Sequence, residues 1–187
     1  ENYERLVCET LLKLHLPEQP TICFHYTAKF SREDREAILR AAKSVRPNGT
    51  YVFVWINSHH NVRLYDERAE TNGSLTRGKY IVGGKNQIYL STTGNNPFRR
   101  ALGTPKPLEL NVYVSRGNGE NISPDLRILA SQVLSLTKLN WASTDSHCAE
   151  PITTKYAGDI AYLTDAFMRQ EGEFRLHPVL ERTPWFI

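Results

Sequence analysis

The chain has 187 residues, 40% of them hydrophobic, including nine Tyr, seven Phe and three Trp, which is enough for one domain with a real core. Charged residues at 23% argue against disorder, and a net charge of +3 is too small to establish a nucleic-acid partner, leaving room only for a local basic patch. The three widely spaced cysteines, Cys8, Cys23 and Cys148, exclude a disulfide scaffold or a CxxC zinc site and fit a reducing, cytoplasmic location, and no run of 18 apolar residues offers a membrane span.

Tyr3, Leu6, Val7, Leu11 and Leu14 recur at helical spacing, so Glu1–Leu14 reads as an amphipathic helix that Pro17 and Pro20 end. A chain opening on a helix without Met is expected to start inside a longer polypeptide, with no signal peptide in view. Thr21–Tyr26 is β-branched and aromatic, a strand. Ser31 with Asp34 three positions on predicts a capped helix over Arg32–Val45, and Pro47-Asn48-Gly49 a turn. Tyr51–Asn57 is apolar on both faces, so strand, helix and strand form a βαβ unit with parallel strands. Short strands follow over Arg63–Tyr65, Gly78–Val82, Gln87–Ser91 and Leu108–Val114. Ser123 with Pro124 is expected to start a helix reaching about Leu139, and Thr154–Met168 to form the last helix before an irregular tail. The class is α/β, a mixed sheet with flanking helices.

Several clusters could carry chemistry. His59, His60 and Arg63 follow the strongest strand, where α/β sheets bind ligands; a plain polar loop is the alternative. Ser91-Thr92-Thr93-Gly94 precedes Arg99-Arg100, hydroxyls and guanidiniums that suit phosphate oxygens or simply a solvated turn. Two-metal phosphodiester cleavage needs several converging carboxylates, and the strands are nearly bare of them, with only Glu109 on the Leu108–Val114 strand. Glu33, Asp34, Glu36, Asp159 and Asp165 fall on helices and read as surface residues. His25, on an apolar strand, reads as a satisfied core histidine rather than a base. Walker A, GxGxxG and GxSxG motifs are absent.

Taken in order, the pieces resemble the C-terminal part of the PIWI domain of prokaryotic Argonautes. Phe24-His-Tyr-Thr-Ala-Lys29 stands where the family has an Asp-Gly element after a buried strand. His59-His-Asn-Val-Arg-Leu-Tyr65 matches a basic Arg-Leu-Phe/Tyr element. Tyr89–Gly94, Gly103-Thr-Pro-Lys-Pro107, Leu136–Trp141, Pro151–Ala157 and the apolar ending Thr183–Ile187 follow in the family's sequence.

The resemblance implies an RNase H-like fold, a guide RNA or DNA and a complementary target strand, with the first catalytic Asp, the Glu, the opening strands and the MID domain upstream. It places the second Asp of the metal site on Thr27 and the fourth ligand on Asn111, neutral groups that are poor ligands for two Mg²⁺. That implies a short, catalytically inactive member in prokaryotic immunity, working with a separate TIR- or Sir2-APAZ effector. The rivals are an active RNase H-like nuclease with displaced ligands and a scaffold that binds only an effector protein. The implied nucleic-acid contacts are His60, Arg63, Thr92, Thr93, Arg99, Lys106, Asn140, Thr153 and Ile187. The terminal carboxylate of Ile187 would hold Mg²⁺ or Mn²⁺ against the guide's 5′-phosphate, with the MID domain completing the site.

Overall fold

The structure is a computed structural model that describes residues 2–68, 73, 75–94, 105–143, 148–181 and 183–186. Alternation along the strands sets its layers. The elements are α1 (Asn2–Lys13), β1 (Thr21–Tyr26), α2 (Arg32–Val45), β2 (Thr50–Asn57), β3 (Tyr80–Gly84), β4 (Gln87–Leu90), β5 (Leu108–Arg116), α3 (Leu126–Leu136) and α4 (Ile152–Glu171), with a short 3-10 helix at Pro178–Leu180. The five strands form one mixed sheet in the order β1-β2-β5-β4-β3. β1 and β2 are parallel, and β2–β5, β5–β4 and β4–β3 are antiparallel. The chain divides into two compact units, Glu1–Ala130 and Ser131–Ile187, and the sheet belongs to the first.

β2 is apolar on both faces because both are covered. Tyr51 and Phe53 pack with Leu11 of α1, Ile38 and Ala42 of α2, and Phe30. Phe24 stacks on Phe53 at 5.2 Å, and Phe30 meets Phe53 edge-on at 5.5 Å. On the opposite face Val52, Val54 and Ile56 align with Leu110, Val112 and Val114 of β5 and with Ile88 and Leu90 of β4, all buried. Each such side chain contributes roughly 1.5–3 kcal/mol through removal from water. The capping box of α2 forms as its sequence predicts: Asp34 N–H donates to Ser31 Oγ at 2.9 Å, and Ser31 N–H to the Asp34 carboxylate at 3.2 Å.

Three expectations need correction. Arg63–Tyr65 is not a strand, since only Tyr65 makes an isolated bridge. α3 is shorter than expected and does not begin at Ser123-Pro124: Asp125 caps it, accepting from Arg127 N–H at 3.1 Å and Ile128 N–H at 3.0 Å. An Asx cap satisfies the orphan N–H groups that Pro124 leaves untouched. α4 runs longer at both ends and stops at Gly172, whose φ of 74° is the left-handed conformation a glycine cap adopts without strain. The helical carboxylates behave as surface residues: Asp159 pairs with Lys155 at 2.6 Å and Asp165 with Arg169 at 2.7 Å. Burial lowers the pKa of His25, which keeps it neutral in its strand.

In the second unit the tail is irregular but docked. Phe167, Phe174, Trp185, Phe186 and Tyr156 form a continuous series of ring contacts, each 5.1–5.8 Å between centroids. Aromatic pairs at this spacing are worth about 0.5–1.5 kcal/mol beyond their buried area.

Two glycines separate close approach from free space. A Cβ on Gly117 would lie 1.7 Å from the Pro47 carbonyl oxygen, whereas one on Gly158 in α4 would meet nothing within 4 Å. Gly117→Ala is therefore expected to destabilise the sheet unit by more than about 2 kcal/mol. Gly158→Ala is expected to stabilise by up to about 1 kcal/mol through helix propensity alone. Urea unfolding of both variants against wild type checks the opposite signs.

Candidate nucleic-acid interface

Because β1 and β2 run one way and β5 runs back, the C-terminal ends of β1, β2 and β4 meet the start of β5 at one end of the sheet. That end collects Thr27, the 57–63 loop, the Ser91–Gly94 turn and Lys106-Pro107. Arg63 and Lys106 are both exposed there. The loops that carry them are tied together by His60, whose Nε2 lies 2.9 Å from the Pro107 carbonyl oxygen. Val62 N–H donates to His60 Nδ1 at 3.2 Å, so the ring proton sits on Nε2 and donates to Pro107. Both ring nitrogens are committed to the backbone, and the ring edge meets Tyr89 at 5.7 Å. His60 is thus a strut between the two loops.

In the Ser-Thr-Thr-Gly turn Thr92 is only 1% exposed, while Thr93 is half-buried. Ser91 locks the turn to the start of β3: its N–H donates to the Lys79 carbonyl at 2.9 Å and its carbonyl accepts from Gly78 N–H at 2.8 Å. Gly94 has φ +63°, and a Cβ there would lie 2.7 Å from Arg77 N, so the close approach admits glycine only. Arg99, Arg100 and Ile187 lie outside the described residues.

The two positions expected to have lost metal ligands flank Trp55. Its indole N–H donates to the Thr27 carbonyl at 3.1 Å, and Asn111 is its partner across the β2–β5 ladder. Thr27 follows Tyr26, Trp55's partner on the other side, so Thr27 and Asn111 are roughly two strand spacings, about 10 Å, apart. Asn111 points its amide nitrogen at Glu109, 3.0 Å away. Among the described residues no group of three or more His, Cys, Asp or Glu converges as a metal site.

Glu109 is the feature that sequence reading left without a role. It is 8% exposed and accepts three amides: Asn57 at 2.8 Å, Gln87 at 2.7 Å and Asn111 at 3.0 Å. Burial alone would raise its pKa, but the hydrogen bonds from Asn111, Asn57 and Gln87 outweigh burial and hold the carboxyl below its ordinary range. Asn57 passes the order on, its Oδ1 accepting His59 N–H at 2.9 Å. The available signal was three amide-bearing strand positions facing one acid, which is visible only once the register is known.

The remaining expected contacts belong to the second unit. Asn140 Oδ1 accepts from Tyr156 Oη at 3.3 Å and from Ala142 N–H at 3.2 Å, and Trp141 N–H donates to Tyr156 Oη at 2.8 Å. Tyr156 in turn meets Phe186 at 5.1 Å, which brings the tail beside the Asn140 loop. Thr153 is exposed in the first turn of α4.

No protein-family model and no curated protein matches the sequence. Solved structures do match in fold. The chain is similar to the Methanocaldococcus Argonaute in complex with guide DNA, with a TM-score of 0.65 and 17% identity over 97% of this chain and 24% of that one. It is also similar to the A. aeolicus Argonaute, with a TM-score of 0.63 and 20% identity over 87% of this chain and 22% of that one. A structure of the Aquifex protein with externally bound siRNA matches at a TM-score of 0.59. The chain spans about a quarter of the length of these Argonautes. Its fold is that of a portion of prokaryotic Argonautes, an α/β mixed sheet with flanking helices consistent with part of a PIWI domain.

The Glu109 network has a pH signature. Its folded pKa is below the unfolded value, so its contribution is fully present above the ordinary carboxylate pKa of about 4.3 and is lost as pH falls through the lower folded value. Glu109→Gln is expected to flatten the acid limb of the stability curve below about pH 4.5. Urea midpoints measured from neutral pH down to the acid transition, with an unchanged slope in the variant, would refute this.

Proposed function

We propose that this chain is part of an Argonaute-type protein that holds a guide strand and its complementary target without cutting the target. The observation that carries the reading is the end of the sheet where His60 ties the loops carrying the exposed Arg63 and Lys106, on a fold shared with an Argonaute solved in complex with guide DNA. Guide–target pairing supplies sequence specificity, and the protein contributes backbone contacts and recognition of duplex shape. Arg63 and Lys106 contact phosphates, and Thr93, Arg99, Asn140 and Thr153 extend the same role.

The absence of cleavage is supported by the chemistry of the readable positions. Thr27 offers a neutral hydroxyl, and Asn111 donates its amide hydrogen to Glu109 rather than presenting an anion. Two divalent cations clamped on a scissile phosphate need anionic oxygen ligands. A Mg²⁺ or Mn²⁺ ion at the guide's 5′-phosphate belongs to the same reading. Ile187 would supply one carboxylate and a MID domain the rest, so this chain furnishes at most a minor part of that donor set. A guided binder that does not cut transmits recognition to another protein, which supports a partner effector of the TIR- or Sir2-APAZ type in prokaryotic defence.

Two measurements test the proposal. Full-length protein loaded with guide is expected to leave a paired target intact in Mg²⁺ or Mn²⁺; metal-dependent target cutting would overturn the inactive assignment. Arg63→Ala and Lys106→Ala are each expected to weaken binding alike for unrelated guide sequences. Each should make the dependence of log affinity on log salt shallower by about one phosphate's worth. Unchanged salt slopes in both variants would remove these residues from the interface.

A further inference from the structure

We infer that Glu109 and Asn57 act as positioning residues that hold the 57–63 loop in its binding conformation, so that Arg63 is presented to a nucleic-acid backbone before the ligand arrives. This rests on the proposed role of Arg63 and deepens it. The relay is continuous. Glu109 stands on β5 and accepts from Gln87 of β4, from Asn111 of its own strand, and from Asn57 at the last position of β2. Asn57 then turns its other amide atom to the His59 N–H, two residues into the loop. His60 fastens the next position twice, to Pro107 at the start of β5 and to Val62 N–H beside Arg63.

The physical need for such a frame is clear. Arg63 has an exposed side chain, and among the described residues its guanidinium donates to the neighbouring Val62 carbonyl at 3.3 Å. Its side chain therefore gains little orientation of its own, and the backbone of the loop must supply it. Residues 58–64 contain no helix or strand, so ordering them on binding would cost roughly 1–2 kcal/mol of backbone entropy per residue. A loop fixed in advance avoids that cost and converts it into affinity. A carboxylate suits the anchor because one group accepts from three strands at once, and charge-assisted hydrogen bonds are stronger than neutral ones. An apolar residue at position 109 would leave three amides without their acceptor in a half-buried site.

A double-mutant cycle in the full-length protein tests the relay, using labelled guide–target duplex as the probe. Asn57→Ala cuts the link to the loop while leaving the Gln87 and Asn111 bonds to Glu109 in place. Glu109→Gln keeps the shape and one acceptor oxygen and is expected to fall between wild type and Asn57→Ala in affinity. Both variants are expected to weaken binding several-fold, and Arg63→Ala is expected to lose most of its effect in the Asn57→Ala background. A structural role alone would lower the melting temperature and leave the Arg63→Ala effect at full size in every background. Such additivity, or wild-type affinity in Asn57→Ala, overturns the inference. If Arg63→Ala binds as wild type does, it is the phosphate-contact reading that fails.

Discussion

The register between β2 and β5 is the constraint on which the sheet unit depends. It pairs Val54 with Val112 on one face and Asn57 with Glu109 on the other. A slip of one residue would turn every side chain of β5 over. Glu109 and Asn111 would then face the apolar layer of Val52, Val54 and Ile56, and Leu108, Leu110 and Val112 would take their place among amides. A carboxylate forced into an apolar layer without partners is among the costliest errors a core can contain. The polar relay and the apolar layer thus enforce the same alignment from opposite faces.

That alignment also explains why the candidate interface lies where it does. The strand directions bring the ends of β1, β2 and β4 and the starts of β5 and β3 to a single end of the sheet. The loops there are irregular and are tied by side chains, Asn57 to His59 and His60 to Val62 and Pro107, and by backbone bonds from Ser91 to the residues before β3. Loops held this way on a rigid sheet present side chains to ligands with little freedom left to lose. Histidine and threonine in this region work mainly inward, and the exposed cations Arg63 and Lys106 work outward. A basic end of this kind can bind phosphates even though the whole chain carries a net charge of only +3.

The second unit uses a different device. Its tail is held by rings rather than by backbone ladders among the described residues, from Phe167 through Phe174, Trp185 and Phe186 to Tyr156. Tyr156 then spends its hydroxyl on the Asn140 loop. Phe186 is thus half of a contact whose other half is Tyr156 of α4, and Trp185 meets Phe174 just beyond that helix.

Much of this was legible before any coordinates. Period-2 and period-3.6 patterns and a Ser31-Asp34 cap located β1 and α2 to the residue, and the βαβ spacing made β1 and β2 parallel, because these signals are local and carry their own physics. The order of motifs pointed to an Argonaute-like fold, and the lack of strand carboxylates was plain from composition. The tertiary structure alone decided which polar residues face which partners. Only the fold shows that Thr92 is buried, that His60 bridges two loops, and that Glu109 is the meeting point of side chains from three strands. The deciding partners of His60 and Glu109 are distant in the chain, 47 residues from His60 to Pro107 and 22 and 52 residues from Gln87 and Asn57 to Glu109, and one sequence carries no record of that pairing.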